Sequence, residues 1–252
     1  MSGGQTGAWT NWDPRWRGTW EALLSRTPTS GEPWVAAFDA DGTLWADDAG
    51  EAMLRVLAED GDLQERTPED VLAEYASRVA ADASAGYAWA VTVMAGLSEQ
   101  RVQRAAQRTM DTFLPTRTFS SMTSLLAQFQ AHPRWEVVIV SASNRWVVEA
   151  GVAGLGIGAD QVLGLCVPVA DGVLGEEPHQ PLTNGKGKVE ALFARFGRSP
   201  ALAMGNSMHD APMLEAATEL SVAVNPSPEL YDHGLSKGWG MCALEGGTSR
   251  HD

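Results

Sequence analysis

Two carboxylates stand two residues apart in Asp39-Ala40-Asp41-Gly42-Thr43-Leu44, directly after the apolar run Trp34–Phe38. In a regular strand such a pair would point to opposite faces. Gly42 permits a turn that can bring both to one site. There, one carboxylate can attack phosphorus while the other handles the proton. Asp and Gly also fill ordinary turns, so this segment acquires meaning only with companions.

Three further polar segments supply them. Ser141-Ala142-Ser143-Asn144 follows the apolar run Glu136–Val140 and precedes a helical pattern that starts near Arg145. A hydroxyl with free backbone N–H groups at that junction makes an anion site, and a helix cap by Ser143 or Asn144 is the competing reading. In Asn184-Gly185-Lys186-Gly187-Lys188-Val189, lysines stand at the start of a helix. Cations are unfavourable there unless an anion such as phosphate offsets them; otherwise they are solvated surface lysines. Gly205-Asn206-Ser207-Met208-His209-Asp210 offers oxygen ligands that suit Mg²⁺, or a capped loop-to-helix junction. Each segment alone is weak, but four in this order are hard to ascribe to coincidence.

The elements that must position them read as alternating strands and helices. Trp34–Phe38, Glu136–Val140, Ala201–Met204 and Ser221–Val224 are short apolar runs suited to strands buried on both faces of a parallel sheet. Helical patterns cover Arg145–Gly151 and Lys186–Phe196, giving an α/β fold with site residues after the C-terminal ends of the strands. From about Asp48 to Thr116 the pattern is helical only: Glu51–Asp60, Pro68–Ala83, Tyr87–Met94 and Ser98–Phe113, with Ser98 as a cap for the last. This reads as a helical cap, residues 48–116, inserted into a core of residues 34–47 and 117–252. Val162–Leu174 contains an Asp171-Gly172 turn and reads as a hairpin. Ahead of the core, residues 1–33 carry Trp9, Trp12, Trp16 and Trp20 at helical spacing. Pro14 either weakens that helix or marks its start, and the stripe reads as core packing rather than a partner-binding face.

Composition narrows the function classes. The 252 residues hold 32 Asp plus Glu against 18 Lys plus Arg, a net charge of -14. That argues against a nucleic-acid or anionic-membrane binder, though not against a small anionic substrate at a locally positive site. Two cysteines, Cys166 and Cys242, are too few for a thiolate zinc site or a disulfide scaffold and read as small buried hydrophobes. No apolar run of about 18 residues and no basic start followed by an apolar stretch is present, so the expected location is the cytoplasm. The expected oligomer is a monomer or homodimer.

FDADGTLW, VSAS, NGKGKV and GNSMHDAPML together resemble the four ordered motifs of the haloacid dehalogenase-like hydrolases, over roughly residues 34–225. The helical insert and the VSxS and KGKV forms are most similar to the phosphoserine phosphatase branch. The second Asp of the first motif separates the chain from the dehalogenases. The resemblance implies a Rossmann-like core with a cap, and a Mg²⁺-dependent phosphatase acting on a small-molecule phosphate ester. It implies that Asp39 is the nucleophile, forming an aspartyl-phosphate, and that Asp41 is the acid and base. Ser141 would hydrogen-bond the phosphoryl oxygens, and Lys186 would neutralise charge, with Lys188 as the alternative. Mg²⁺ would sit between the Asp39 carboxylate, the Asp41 carbonyl and the last motif, where either Asn206 or Asp210 is the direct ligand. Gly42, Thr43, Ala142, Ser143 and His209 complete the implied substrate contacts.

One departure stands out: GNSMHD replaces the GDGxxD of phosphoserine phosphatases, so Asn206 takes the place of an acidic residue and metal should bind less tightly. Asp48, nine residues after Asp39, matches an acidic residue that reads a substrate amine, with Asp47 and Glu51 as alternatives. Trp45, Tyr87 and Trp89 could add aromatic faces for an ammonium group, and Arg55, Arg66 or Arg78 could pair a carboxylate. The resemblance therefore favours phosphoserine-like amino phosphates. A phosphotransferase or mutase, or a catalytically silent binding relative, are the alternatives.

Overall fold

The computed structural model describes residues 12–28, 31–64 and 66–244. Trp9 lies outside them. Six parallel strands form one sheet in the order β3-β2-β1-β6-β7-β8. They are β1 (Trp34–Phe38), β2 (Trp135–Asn144), β3 (Val162–Leu165), β6 (Leu202–Gly205), β7 (Leu220–Val224) and β8 (Gly240–Cys242). Val35, Ala36, Ala37 and Phe38 of β1 are all buried, the burial on both faces that the apolar runs predict. The chain leaves β1 towards β2 and β3 on one side, and later fills the other side with β6, β7 and β8. The strand order thus reverses at β1, where open α/β sheets form a crevice beyond the strands' C-terminal ends.

Four helices fill the interval after β1: α2 (Ala49–Glu59), α3 (Pro68–Ala81), α4 (Ala83–Thr92) and α5 (Glu99–Arg117). Each has a side-chain cap: Asp48 accepts from the Glu51 N–H, Thr67 from Asp70, Asp82 from Ala85 and Ser98 from Arg101. The sequence reading of a helical cap on a parallel core therefore holds. Two antiparallel segments join cap to core. Phe119 N–H donates to the Leu44 carbonyl at 3.0 Å and Ala46 N–H to the Arg117 carbonyl at 2.9 Å. A sixth helix, α6 (Ser120–Ala131), then returns the chain to β2 and packs on it.

The stretch 162–174 differs from the sequence reading. Val162–Leu165 joins the main sheet as a parallel edge strand, because its apolar side chains find β2 beside them. Only β4 (Val169–Ala170) and β5 (Val173–Leu174) form the hairpin around Asp171-Gly172. That hairpin grips the cap, since Gly96 N–H donates to the Leu174 carbonyl and Leu174 N–H to the Leu97 carbonyl, both at 2.9 Å. β8 lies beyond the expected elements: three residues carry too short a pattern to read. The remaining helices are α7 (Arg145–Val152), α8 (Lys186–Phe196), α9 (Ala211–Ala216) and α10 (Pro228–Lys237). Cys242 is buried, Cys166 is half-buried, and both are free.

α1 (Pro14–Ser25) begins at its proline, with Asp13 as cap. Trp16 and Trp20 stack at 5.0 Å between ring centroids, and Trp12 meets Trp20 edge-on at 5.2 Å. Trp12 Nε1 donates to the Ser121 carbonyl of α6, and Trp20 packs on Phe129 of the same helix. Trp12 and Trp20 are therefore part of the core, and Trp16 packs against it. Trp20→Ala should cost about 3–5 kcal/mol of stability through the cavity it leaves. Urea unfolding followed by circular dichroism measures this, and a loss below about 1 kcal/mol would contradict the packing role.

Candidate active site

The four polar segments converge at the C-terminal edge of the sheet. Asp39 leaves β1, Ser141 lies near the end of β2, and Asn206–Asp210 follow β6. The lysine that reaches them is Lys188, not Lys186. Lys188 is 2% exposed, and its Nζ donates to Asp39 Oδ1 at 2.6 Å, Asp210 Oδ1 at 2.6 Å and the Val140 carbonyl at 2.8 Å. All three ammonium hydrogens are thereby used. Lys186 opens α8 and is exposed. Two residues along a helix turn the direction by about 200°, so one lysine of the pair faces the sheet and the other faces solvent.

Each carboxylate has its own cradle. Asp39 Oδ2 accepts from Thr43 Oγ1 at 3.0 Å. Burial, with the charge of Asp210, pushes the Asp39 carboxyl up, while Lys188 opposes the rise. Asp41 accepts from Trp45 Nε1 at 2.7 Å and Ala49 N–H at 2.8 Å on Oδ1, and from Ser143 Oγ at 2.6 Å on Oδ2. Burial and the nearby charge of Asp48 push it up to about 6 against those hydrogen bonds. For Lys188 burial acts downward, but Asp210 and Asp39 outweigh it and hold the ammonium above its ordinary value.

The loop after β6 is organised by Asp210. Its Oδ2 accepts from Asn206 N–H and Ser207 N–H at 3.0 Å and from Ser207 Oγ at 3.2 Å. The Asn206 amide lies against Gly42: an added Cβ there would stand 2.0 Å from Nδ2, and the φ of +75° also favours glycine. Among the described residues no three His, Cys, Asp or Glu side chains are grouped to hold a metal alone. The groups that do lie there are the Asp39 and Asp210 carboxylates, joined through Lys188, and the Asn206 amide beside Gly42. That hard oxygen set with few charges fits Mg²⁺, which keeps several waters, better than it fits zinc.

A groove of about 1300 Å³ opens above these residues. Gly42, Ala142, Ser143 and His209 line it as expected. Thr43 is fully buried beneath it, holding Asp39. His209 meets Tyr87 of the cap edge-on at 5.8 Å. Asp48 also lines the groove, but as the α2 cap it accepts from Glu51 N–H at 2.8 Å and from Tyr75 Oη at 3.3 Å. Each of its oxygens is thus engaged once while it lines the groove. Arg55 lines the groove, whereas Arg66 and Arg78 pair with Glu74 and flank Trp89 elsewhere in the cap. Thr183, whose Oγ1 donates to the Ser141 carbonyl at 2.5 Å, escaped the sequence reading because a threonine ahead of a glycine loop carries no distinguishing pattern.

The shift at Asp41 has a stability consequence. An ordinary Asp ionises near 3.8, so between about pH 4 and 6 the unfolded chain loses a proton that folded Asp41 keeps. Stability contributed by this group is therefore full below pH 4 and falls as pH rises through 6. In metal-free protein, Asp41→Asn should be more stable than wild type at pH 8, by on the order of 1–3 kcal/mol, with the gap closing near pH 4. Urea midpoints at the two pH values in EDTA measure this, and a pH-independent gap would refute the assigned cause.

A model of the haloacid dehalogenase-like hydrolase family matches residues 36–215, a span that includes all four segments. A search of the curated proteins found no match. Among solved structures, a functionally unknown protein from Anaerococcus prevotii DSM 20548 is similar with a TM-score of 0.71 at 14% identity, over 96% of this chain and 98% of that one. A protein of unknown function from Bordetella pertussis Tohama I gives 0.69 at 21% identity, over 84% and 98%. A phosphoserine phosphatase described as a phospho-aspartyl intermediate analogue gives 0.56 at 17% identity, over 84% and 93%. At these identities the structures speak for the fold. The family match over most of the chain goes further, and this protein belongs to the haloacid dehalogenase-like hydrolases.

Proposed function

We propose that the chain is a Mg²⁺-dependent phosphomonoester hydrolase that works through an aspartyl-phosphate on Asp39. The observation that carries the reading is the buried Lys188, bonded to both Asp39 and Asp210, beside a second carboxylate held near neutrality. Asp39 attacks phosphorus, and the bond to the leaving oxygen breaks. Asp41 delivers its proton to that oxygen. A water then attacks the aspartyl-phosphate and gives its proton to Asp41, releasing phosphate and restoring both carboxyls. Lys188 opposes the rise that burial and Asp210 impose on Asp39 and offsets charge at the phosphoryl group. The Ser141 hydroxyl and the groove-lining Ala142 suit the phosphoryl oxygens. Asp39, the Asp41 carbonyl and either Asn206 or Asp210 would hold Mg²⁺, which when bound supplies further charge neutralisation at the phosphoryl oxygens. The hydrogen bonds that already occupy Asp210 favour Asn206 for that contact.

The leaving-group side of the groove supports an amino alcohol such as serine or ethanolamine. Asp48, Glu51 and Glu229 give it negative charge, and the Tyr87 ring offers a face to an ammonium group. Arg55 is placed to meet a carboxylate. Phosphate release from phosphoserine, phosphoethanolamine, phosphocholine and sugar phosphates, with Mg²⁺ and with EDTA, tests both parts. Mg²⁺-dependent release without an added acceptor, fastest with the amino phosphates, is expected. Release only with an added alcohol would instead indicate a phosphotransferase. Asp39→Asn should abolish turnover with the fold retained. Lys188→Met should lower kcat by roughly 10²–10³-fold, while Lys186→Met stays within a few-fold; the reverse ranking would overturn the assignment of the lysine.

A further inference from the structure

Trp45 does something the catalytic pair alone does not account for. It lies on the antiparallel segment that joins core to cap, pairing with Thr118 across that junction, and it is 1% exposed. A buried indole N–H usually pairs with an acceptor, although those of Trp20 and Trp135 have none among the described residues. Trp45 Nε1 finds the carboxylate of Asp41, at 2.7 Å. We propose that Trp45 is a positioning residue, which holds the Asp41 carboxylate where it must protonate the leaving oxygen. This rests on the hydrolase reading above and adds a link between cap placement and proton transfer.

Asp41 is held by donors from three elements: the Trp45 indole on the joining segment, the Ala49 N–H in the first turn of α2, and the Ser143 hydroxyl at the end of β2. Two of the three lie on the connection into the cap, and both bind Oδ1. Ser143 Oγ binds the other oxygen, Oδ2. The indole is itself held at its far edge. An added Cβ at Gly151 of α7 would stand 2.8 Å from Trp45 Cη2 and 2.5 Å from Met110 Cε. Trp45 and Gly151 also line a cavity of about 290 Å³ together with Leu44, Leu126 and Leu155.

The test compares leaving groups. p-Nitrophenolate departs from phosphorus without a proton, whereas the serine alkoxide needs one. The quantity kcat/KM reports steps up to transfer of the phosphoryl group onto Asp39 and excludes the later hydrolysis. Trp45→Phe keeps an aromatic ring and removes the N–H. The ratio of kcat/KM for phosphoserine to that for p-nitrophenyl phosphate should fall about 10-fold or more, part of the 10²–10⁴ that a general acid contributes. An unchanged ratio, including equal losses on both esters, would mean a merely structural role and would overturn the proposal. Gly151→Ala displaces the ring without touching Asp41 and should lower the same ratio, which keeps the test decisive if Trp45→Phe fails to fold. A second readout needs no turnover. In ¹⁵N-indole-labelled protein, the resonance lost in Trp45→Phe should move upfield in Asp41→Asn. A resonance that stays in place would overturn the proposal. Absence of turnover of either ester by the wild type, with the resonance moving as expected, would remove the hydrolase reading and leave the Trp45–Asp41 contact standing.

Discussion

One ammonium group, Lys188 Nζ, holds the centre of the molecule together. It lies between the carboxylates of Asp39 and Asp210 and also bonds the Val140 carbonyl, so it ties β1, β2 and the loop after β6 to α8. Two buried carboxylates without it would repel one another and take up protons. With it the cluster still carries one excess negative charge when both acids are ionised. Burying ions is costly in itself, and such a cluster persists only where each member is fully hydrogen-bonded. Thr43 and the Asn206 and Ser207 amides complete that requirement. The leftover negative charge makes the site receptive to a divalent cation.

The second carboxylate lives under a different constraint. Asp41 has no ammonium partner; three neutral donors surround it, and burial and Asp48 press on its charge. The two acids of the motif thus sit in different surroundings: Lys188 opposes the rise that burial and Asp210 impose on Asp39, whereas neutral hydrogen-bond donors oppose it at Asp41. Asp48 contributes twice, as the cap of α2 and as the charge that raises Asp41. Because Ala49 and Trp45 both bind Asp41, the acid's position is linked to the helices above it. Its position and the placement of the cap thus depend on the same few contacts.

Much of this was legible in the chain. Short apolar runs marked β1, β6 and β7, since strands buried on both faces need apolar residues at every position. The loss of that rhythm between Asp48 and Thr116 marked the helical insert, and Ser98 marked the start of α5. Polar segments at strand ends marked Asp39, Asp41, Ser141 and Asp210 as neighbours, because a parallel sheet brings all its C-terminal strand ends to one edge. These are properties of local pattern and chain order, and a linear sequence carries both.

Tertiary structure decided what depends on direction in space. Lys186 and Lys188 are equivalent as letters in NGKGKV, and only the seating of α8 against the sheet turns the second of them inward. Asp48 stands out in the sequence by its distance from Asp39, and the fold shows that it lines the groove and also caps α2 and accepts from Tyr75. Val162–Leu165 reads as half of a hairpin until β2 stands beside it. The Trp45 ring that bonds Asp41 abuts Gly151, more than a hundred residues away. Sequence by itself determined which groups assemble, because composition and order constrain the topology; the fold decided which atoms face one another, because side-chain direction is set by packing partners that lie far apart along the chain.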